Sequence, residues 1–336
     1  MPRTLDPTLQ SDEAVELEAN MLSRVVGQDR AVHQIVRAYQ IFRSGFAAPH
    51  RPLSVLLLAG PSGSGKTKTV EALSESLYNN RNVVIKIDCG EFTHGHEIAK
   101  LISSPPGYLG HRETPPRISQ EVLEAHWLGD GPRLSILLFD EVEKAHDELY
   151  QLLLGLLDKA SLTLGDNRTV DLSHTMIFLT SNLGTSEVTK LMEGGIGFNT
   201  NMMDGDEMDQ RIYIITKHAV QRKFAPEFIN RLDRIIVFRA LTHEHLQDIL
   251  EIELNKVRER ILGSSAMPFS FHVSPEVGEF LIEEGTDSKS GARHLKRAIE
   301  RHIVAPLSNI VASGQVNYAE TIKIEMIRDN VMFIVD

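Results

Sequence analysis

Apolar residues fall along this chain in two rhythms. Five short runs, 55–58, 83–87, 136–139, 176–179 and 235–238, are rich in Val, Ile, Leu and Phe. Runs of that length predict strands buried on both faces. Helical spacing lies between them, most clearly over 145–157, where Leu149, Leu152, Leu153, Leu156 and Leu157 mark one core-facing stripe. A helix from about Asp29, carrying Ala31, Ile35, Val36 and Tyr39, precedes the first run, and the Gly45–Pro52 stretch reads as a loop. Strands alternating with helices imply a parallel sheet with right-handed crossovers. After Phe238 the rhythm changes. Thr242 caps a helix with Leu246, Ile249, Leu250, Leu254 and Val257 on one side, and Ser274-Pro275-Glu276 starts another that stops at Gly285. A third helix is predicted over 292–310, and a hairpin over 321–327 and 330–335. The expected organisation is therefore a polar, acidic, partly disordered segment over 1–20, a large α/β domain over 21–239 and a smaller α+β domain over 240–336.

Composition narrows the class. The chain has 336 residues, 42% hydrophobic and 24% charged, enough for two packed cores. Its formal charge is 35 minus 46, or −11, which disfavours a nucleic-acid coat. Cys89 is the one cysteine, so no internal disulfide can form. No basic region followed by an apolar run opens the chain, and no run is long enough for a membrane span. A soluble cytoplasmic protein is expected.

Two motifs bring chemistry to the sheet. Gly60-Pro61-Ser62-Gly63-Ser64-Gly65-Lys66-Thr67 is a complete G-x-x-x-x-G-K-[ST] loop between a predicted strand and a predicted helix. Its glycines turn backbone N–H groups inward around phosphate oxygens, and the helix dipole favours their charge. Lys66 would reach the β and γ phosphates and Thr67 would ligate Mg²⁺. The run 136–139 ends in Asp140-Glu141, two carboxylates at the carboxyl edge of the sheet. Asp140 would hold Mg²⁺ through water and Glu141 would polarise an attacking water. Strands often end in solvated acids, so the second motif gains its weight from the first. Together they predict ATP hydrolysis.

Further segments resemble the Clp family of AAA+ unfoldases, specifically the second ATPase module of ClpA, ClpB and ClpC, from about residue 22 to the end. Val25-Val26-Gly27-Gln28-Asp29 is similar to the family segment that lines the adenine pocket. Pro105-Pro106-Gly107-Tyr108-Leu109-Gly110 resembles its pore loop, and Thr180-Ser181-Asn182-Leu183-Gly184 its sensor-1 strand end. The stretch from Phe224 to Asp233 resembles the segment carrying the arginine finger, here Arg231, and Ser290-Gly291-Ala292-Arg293 the sensor-2 motif. The resemblance implies that Asn182 contacts the water or γ-phosphate. It implies that Arg231 reaches the γ-phosphate of a neighbour, and that Arg293 touches the same phosphate in cis. Read alone, Asn182 is an ordinary strand-end turn residue, and both arginines are ordinary surface cations. A finger acting in trans implies a homo-oligomeric ring, hexameric in this family, and Tyr108 with Leu109 would grip an unfolded polypeptide at its axis.

The match has departures. The pore loop runs on into His111-Arg112-Glu113-Thr114-Pro115-Pro116, where the family has acidic residues and glycines, and the prolines stiffen it. The family's second pore loop is charged, whereas this chain has Thr93-His94-Gly95-His96. The two histidines are spaced as a metal pair, but no third ligand is near, so a channel lining or a turn is expected. The N-terminal domain and first ATPase module of two-module Clp proteins have no counterpart, which leaves a stand-alone module or a piece of a longer chain. Ile196-Gly197-Phe198 resembles the loop by which ClpA-like and ClpC-like proteins dock on the ClpP peptidase. Three functions follow: an unfoldase that feeds a peptidase, a ClpB-like disaggregase, and a nucleotide-switched scaffold, the last disfavoured by the pairing of Glu141 with Arg231.

Overall fold

The computed structural model describes residues 4–103, 115–127, 129, 131–192, 205–264, 269–285, 292–317 and 320–335. Contacts divide the chain into two compact units, Met1–Gly60 with Gly65–Arg239, and Ala240–Asp336 with Pro61–Ser64.

Seven strands of the first unit are β1 (Ser54–Ala59), β2 (Ile85–Asp88), β3 (Ser135–Asp140), β4 (Ser161–Thr163), β5 (Thr169–Asp171), β6 (Thr175–Ser181) and β7 (Arg234–Val237). Five of them form one sheet in the order β2-β3-β6-β1-β7, every pair parallel. The three central strands, β1, β3 and β6, are buried at every position. Their side chains alternate between two cores. Val55, Leu57, Leu137, Phe139, Ile177 and Leu179 share one face with Leu149, Leu153, Leu156 and Leu157 of the helix Asp147–Lys159. Leu56, Leu58, Ile136, Leu138, Met176 and Phe178 share the other with Val32, Ile35 and Val36 of Asp29–Arg43 and with Val70 and Leu73 of Lys66–Tyr78. Each such side chain contributes about 1.5–3 kcal/mol by leaving water. The edge strands differ from expectation. β2 and β7 are only partly buried, and β2 begins at Ile85, because 81–83 forms a 3₁₀ turn. The hairpin of β4 and β5 lies outside the sequence reading.

The N-terminal segment needs a correction. Residues Asp12–Leu22 form a helix in which Ala14, Leu17 and Met21 are buried. The Ser11 side chain caps it by accepting from the Ala14 N–H at 3.3 Å. Glu13 fixes its outer side, accepting from the Tyr39 hydroxyl at 2.7 Å and from Arg43 Nε at 3.0 Å. Three apolar residues spaced by three and four were enough to recruit an otherwise polar stretch to the core.

In the second unit, helices His243–Ser264 and Pro275–Gly285 pack with a sheet of order β10-β9-β8. Here β8 is Ser270–Val273, β9 is Thr321–Ile327 and β10 is Asn330–Val335. Thr242 Oγ1 accepts from the His245 N–H at 3.3 Å, the predicted cap. The helix expected over 292–310 is present but interrupted: Ala292–Ile299 passes through a π turn, Glu300–Val304, into Ala305–Ala312. Pro306 has no N–H to offer the preceding turn, and the wider turn accommodates its ring. Leu250, Leu254, Phe271, Leu281, Leu295, Ile303 and Ile322 form a separate core.

Candidate nucleotide site

Parallel register brings the site together. Ala59 is opposite Ser181 and Asp88 is opposite Asp140, so the carboxyl ends of β1, β6, β3 and β2 finish level. Gly60 follows β1, Asp140 ends β3, and Asn182 follows β6. Ligands of parallel sheets bind at this edge.

The loop after β1 takes a backbone that needs glycine. Gly60, Gly63 and Gly65 have φ of 147°, 72° and 100°. A Cβ on Gly60 would lie 2.6 Å from the Phe238 carbonyl oxygen. Within the loop the Ser64 hydroxyl donates to the Pro61 carbonyl at 2.8 Å, and Ser62 is half-buried. The helix Lys66–Tyr78 begins at once, with Thr67 in its first turn.

Lys66 is 8% exposed. Its ammonium donates to the Gly60 carbonyl at 2.8 Å and to Asn182 Oδ1 at 2.9 Å. The Asn182 amide in turn donates through Nδ2 to Glu141 Oε1 at 3.0 Å. Asn182 therefore bridges the loop lysine and the catalytic-base candidate. Glu141 has φ 56° and ψ 50°, a left-handed backbone that costs a non-glycine residue free energy and recurs at functional sites. Its N–H donates to Thr180 Oγ1 at 2.9 Å, and Lys144 Nζ meets its Oε2 at 2.5 Å. That pairing raises the Lys144 ammonium above its ordinary value.

Asp140 is 9% exposed. Thr180 Oγ1 donates to its Oδ1 at 2.5 Å, Lys86 Nζ pairs with its Oδ2 at 2.8 Å, and Thr67 Oγ1 lies 3.4 Å away. Burial pushes its carboxyl upward, but the Lys86, Thr180 and Thr67 contacts outweigh it and hold it below the usual aspartate value. Beside it Cys89 is fully buried, and burial, then the fields of Asp140, Asp88, Glu143 and Glu141, push its thiol far up. So many carboxylates at one edge suit a ligand that brings its own cation.

Other sequence-selected residues lie apart. Val25 is 4% exposed and packs in the core, while Val26 is half-buried. It is Gly27, Gln28 and Asp29 that line a 510 Å³ cleft with Ile212, Tyr213 and Val237. Gln28 closes it with two amide contacts to the Arg239 backbone, at 3.0 and 3.2 Å. Arg231 donates to the Glu227 carbonyl at 2.6 Å and lies 3.8 Å from Asp158. Its Nε is buried without a partner among the described residues. Arg293 is exposed in the first turn of Ala292–Ile299. The rings of His94 and His96 stack 5.8 Å apart. Tyr108, Leu109, Ile196, Gly197 and Phe198 lie outside the described residues. Lys86, Thr180, Glu143 and Lys144 were not selected from the sequence. Their only signal is position beside motif residues, which acquires meaning once β2, β3 and β6 are in register.

A phosphate-type loop, a buried lysine and a strand-end Asp-Glu on a five-stranded parallel sheet define a P-loop nucleotide-binding protein of the AAA+ class. Residues 51–235 match the AAA domain (Cdc48 subfamily), and residues 241–324 match the C-terminal D2-small domain of ClpB protein. The chain belongs to the AAA domain (Cdc48 subfamily) family. It is 36% identical over 307 residues to the chaperone protein ClpB of Meiothermus ruber, covering 91% of this chain and 33% of that protein. It is 34% identical over 315 residues to the ClpA homolog, an ATP-dependent Clp protease ATP-binding subunit, of Porphyra purpurea, covering 93% and 36%. Among solved structures, S. cerevisiae Hsp104 in its extended complex with casein aligns with TM-score 0.79 at 28% identity, over 97% of this chain and 53% of that one. The resemblance to Clp modules is borne out; the chain spans about a third of the length of these curated relatives.

Proposed function

We propose that this chain is the ATP-hydrolysing module of a ring that unfolds or remodels polypeptides. The observation that carries the chemistry is the chain of contacts from Lys66 through Asn182 to Glu141. It ties the group that meets phosphate to the group that polarises water. In this reading the loop from Gly60 to Thr67 cradles the phosphates, and the cleft beginning at Gly27 takes the base, with Val25 and Val26 directly preceding it in sequence.

Mg²⁺ fits the donors present. The Thr67 hydroxyl and Asp140 carboxylate are hard oxygens 3.4 Å apart, the kind of pair Mg²⁺ uses alongside phosphate oxygens. Bound there, the ion would neutralise phosphate charge. The low pKa of Asp140 keeps it anionic for that role. Glu141 accepts a proton from water, Lys66 and Asn182 hold the γ-phosphate, and Arg293 is assigned the sensor role that the likeness to Clp modules implies. Arg231 completes the site of a neighbour, where a planar cation is worth about 10³–10⁵ in rate in related systems. Among the described residues its guanidinium makes one hydrogen bond, to the Glu227 carbonyl, and a 3.8 Å approach to Asp158.

Substrate handling is assigned to Tyr108 and Leu109, whose aromatic and aliphatic side chains grip many residue types. The likeness to ClpB and to casein-bound Hsp104 supports a protein substrate. The likeness to a Clp protease subunit, with Ile196-Gly197-Phe198 in the segment after β6, supports docking on a ClpP-like peptidase. Disaggregation without proteolysis is the second reading, favoured by the ClpB D2-small match. No described helix is long and apolar enough to cross a membrane, and a cytoplasmic ring is proposed.

The test is ATP turnover by the purified chain, with and without casein, at concentrations where size depends on nucleotide. Casein should stimulate turnover, Glu141→Gln should abolish it while nucleotide still binds, and Tyr108→Ala should remove the stimulation alone. Undiminished turnover in Glu141→Gln would refute the catalytic assignment. Loss of peptidase-ring binding in Phe198→Ala would decide for the proteolytic reading, and stimulation by DNA but not casein would overturn both.

A further inference from the structure

Glu143 has no place in the motif chemistry, yet it is built into the site. It lies in the 3₁₀ turn Val142–Lys144 directly after the Asp140-Glu141 pair. Its Oε1 accepts from the backbone N–H of Asn182 at 3.0 Å. Its Oε2 is buried and has no partner among the described residues.

We infer that Glu143 is a positioning residue for nucleotide hydrolysis, holding the main chain of Asn182 so that its amide spans Lys66 and Glu141. The inference rests on the ATPase reading and deepens it. β6 ends at Ser181, so the Asn182 N–H lies one residue beyond the strand. Without the carboxylate this N–H would have to turn to water or to another acceptor. A charged acceptor makes this bond about twice as strong as a neutral one. Further on, Asn182 has both ends of its amide engaged, Oδ1 with Lys66 at 2.9 Å and Nδ2 with Glu141 at 3.0 Å. Fixing its backbone therefore fixes the relation between two elements, the loop after β1 and the end of β3. Glu143 and Glu141 leave the same short turn, so one segment holds Asn182 by its backbone and by its side chain. The buried, unpaired Oε2 is a cost to stability. A residue that breaks a local rule in this way, beside the reacting groups, fits a functional position better than a structural one.

The consequence is a separation of binding from turnover. Nucleotide binding rests chiefly on the loop and Lys66, which Glu143 does not touch, with Asn182 adding one contact at the γ-phosphate. Alignment of Glu141 depends on Asn182, and misplacement by about 1 Å can cost on the order of 10²-fold in rate.

Wild type, Glu143→Ala and Glu143→Gln are compared as full chains, at a concentration where the wild type assembles. Affinity is read with a fluorescent ATP analogue, kcat and KM by a coupled phosphate assay, and folding by thermal melting. Glu143→Ala should keep analogue affinity and KM within about threefold and lower kcat by about 10- to 100-fold. Glu143→Gln keeps a carbonyl acceptor and should return kcat to within about threefold of wild type. Glu143→Asp, which withdraws the carboxylate by one methylene, replaces Glu143→Ala if that variant does not fold, with the same fall in kcat. Wild-type kcat in the shortened variants, equal impairment of Glu143→Gln, or loss of affinity in place of turnover would each overturn the inference. A wild-type chain without turnover would sink the ATPase reading and this inference with it. Turnover in the wild type and in every variant would sink only this one.

Discussion

A single glycine shows how tightly the phosphate loop is specified. Gly60 has φ 147°, and a Cβ there would sit 2.6 Å from a backbone oxygen of Phe238, which cannot swing aside as a side-chain end could. Gly60→Ala is therefore expected to destabilise the protein by about 1–3 kcal/mol. It should also weaken nucleotide binding, because the carbonyl that orients Lys66 belongs to the same residue. A urea midpoint unchanged within error, with normal binding of a fluorescent ATP analogue, would count against that account. The same scale explains why Asp140 can be buried. Lys86, Thr180 and Thr67 together supply what water would have given it.

At the scale of elements, local geometry and residue type sometimes disagree. β9 and β10 are joined through Arg328 and Asp329, which both adopt positive φ, 49° and 60°. Such two-residue turns favour Asn-Gly. Replacing Arg328-Asp329 by Asn-Gly is expected to stabilise the hairpin by about 1 kcal/mol, read as a higher melting temperature. An unchanged or lower value would show that the present residues make compensating contacts. The N-terminal helix teaches the opposite lesson. Asp12–Leu22 has a polar sequence, and its three buried side chains, with Glu13 held by Tyr39 and Arg43, place it in the core all the same.

For the molecule as a whole, each unit has its own core, with Leu254, Phe271, Leu281 and Ile322 at the centre of the second. We propose that residues 240–336 form a domain able to fold by itself. A fragment of those residues should melt cooperatively and show protected amides in His243–Ser264 and Pro275–Gly285. A fragment that exchanges freely would show that the unit depends on the rest of the chain.

Local pattern settled what depends on neighbours along the chain. Runs of Leu, Ile, Val and Phe located the five strands of the parallel sheet, and the glycine spacing from Gly60 to Gly65 with Lys66 and Thr67 located the phosphate loop. Asp140 and Glu141 were legible because a strand end and its acids are adjacent in sequence. Tertiary structure alone decided that Thr180 and Lys86 hold Asp140, that Asn182 joins Lys66 to Glu141, and that Glu143 grips the Asn182 backbone. Those contacts cross between strands far apart in the chain. They follow from the order β2-β3-β6-β1 and its register, which no local periodicity encodes.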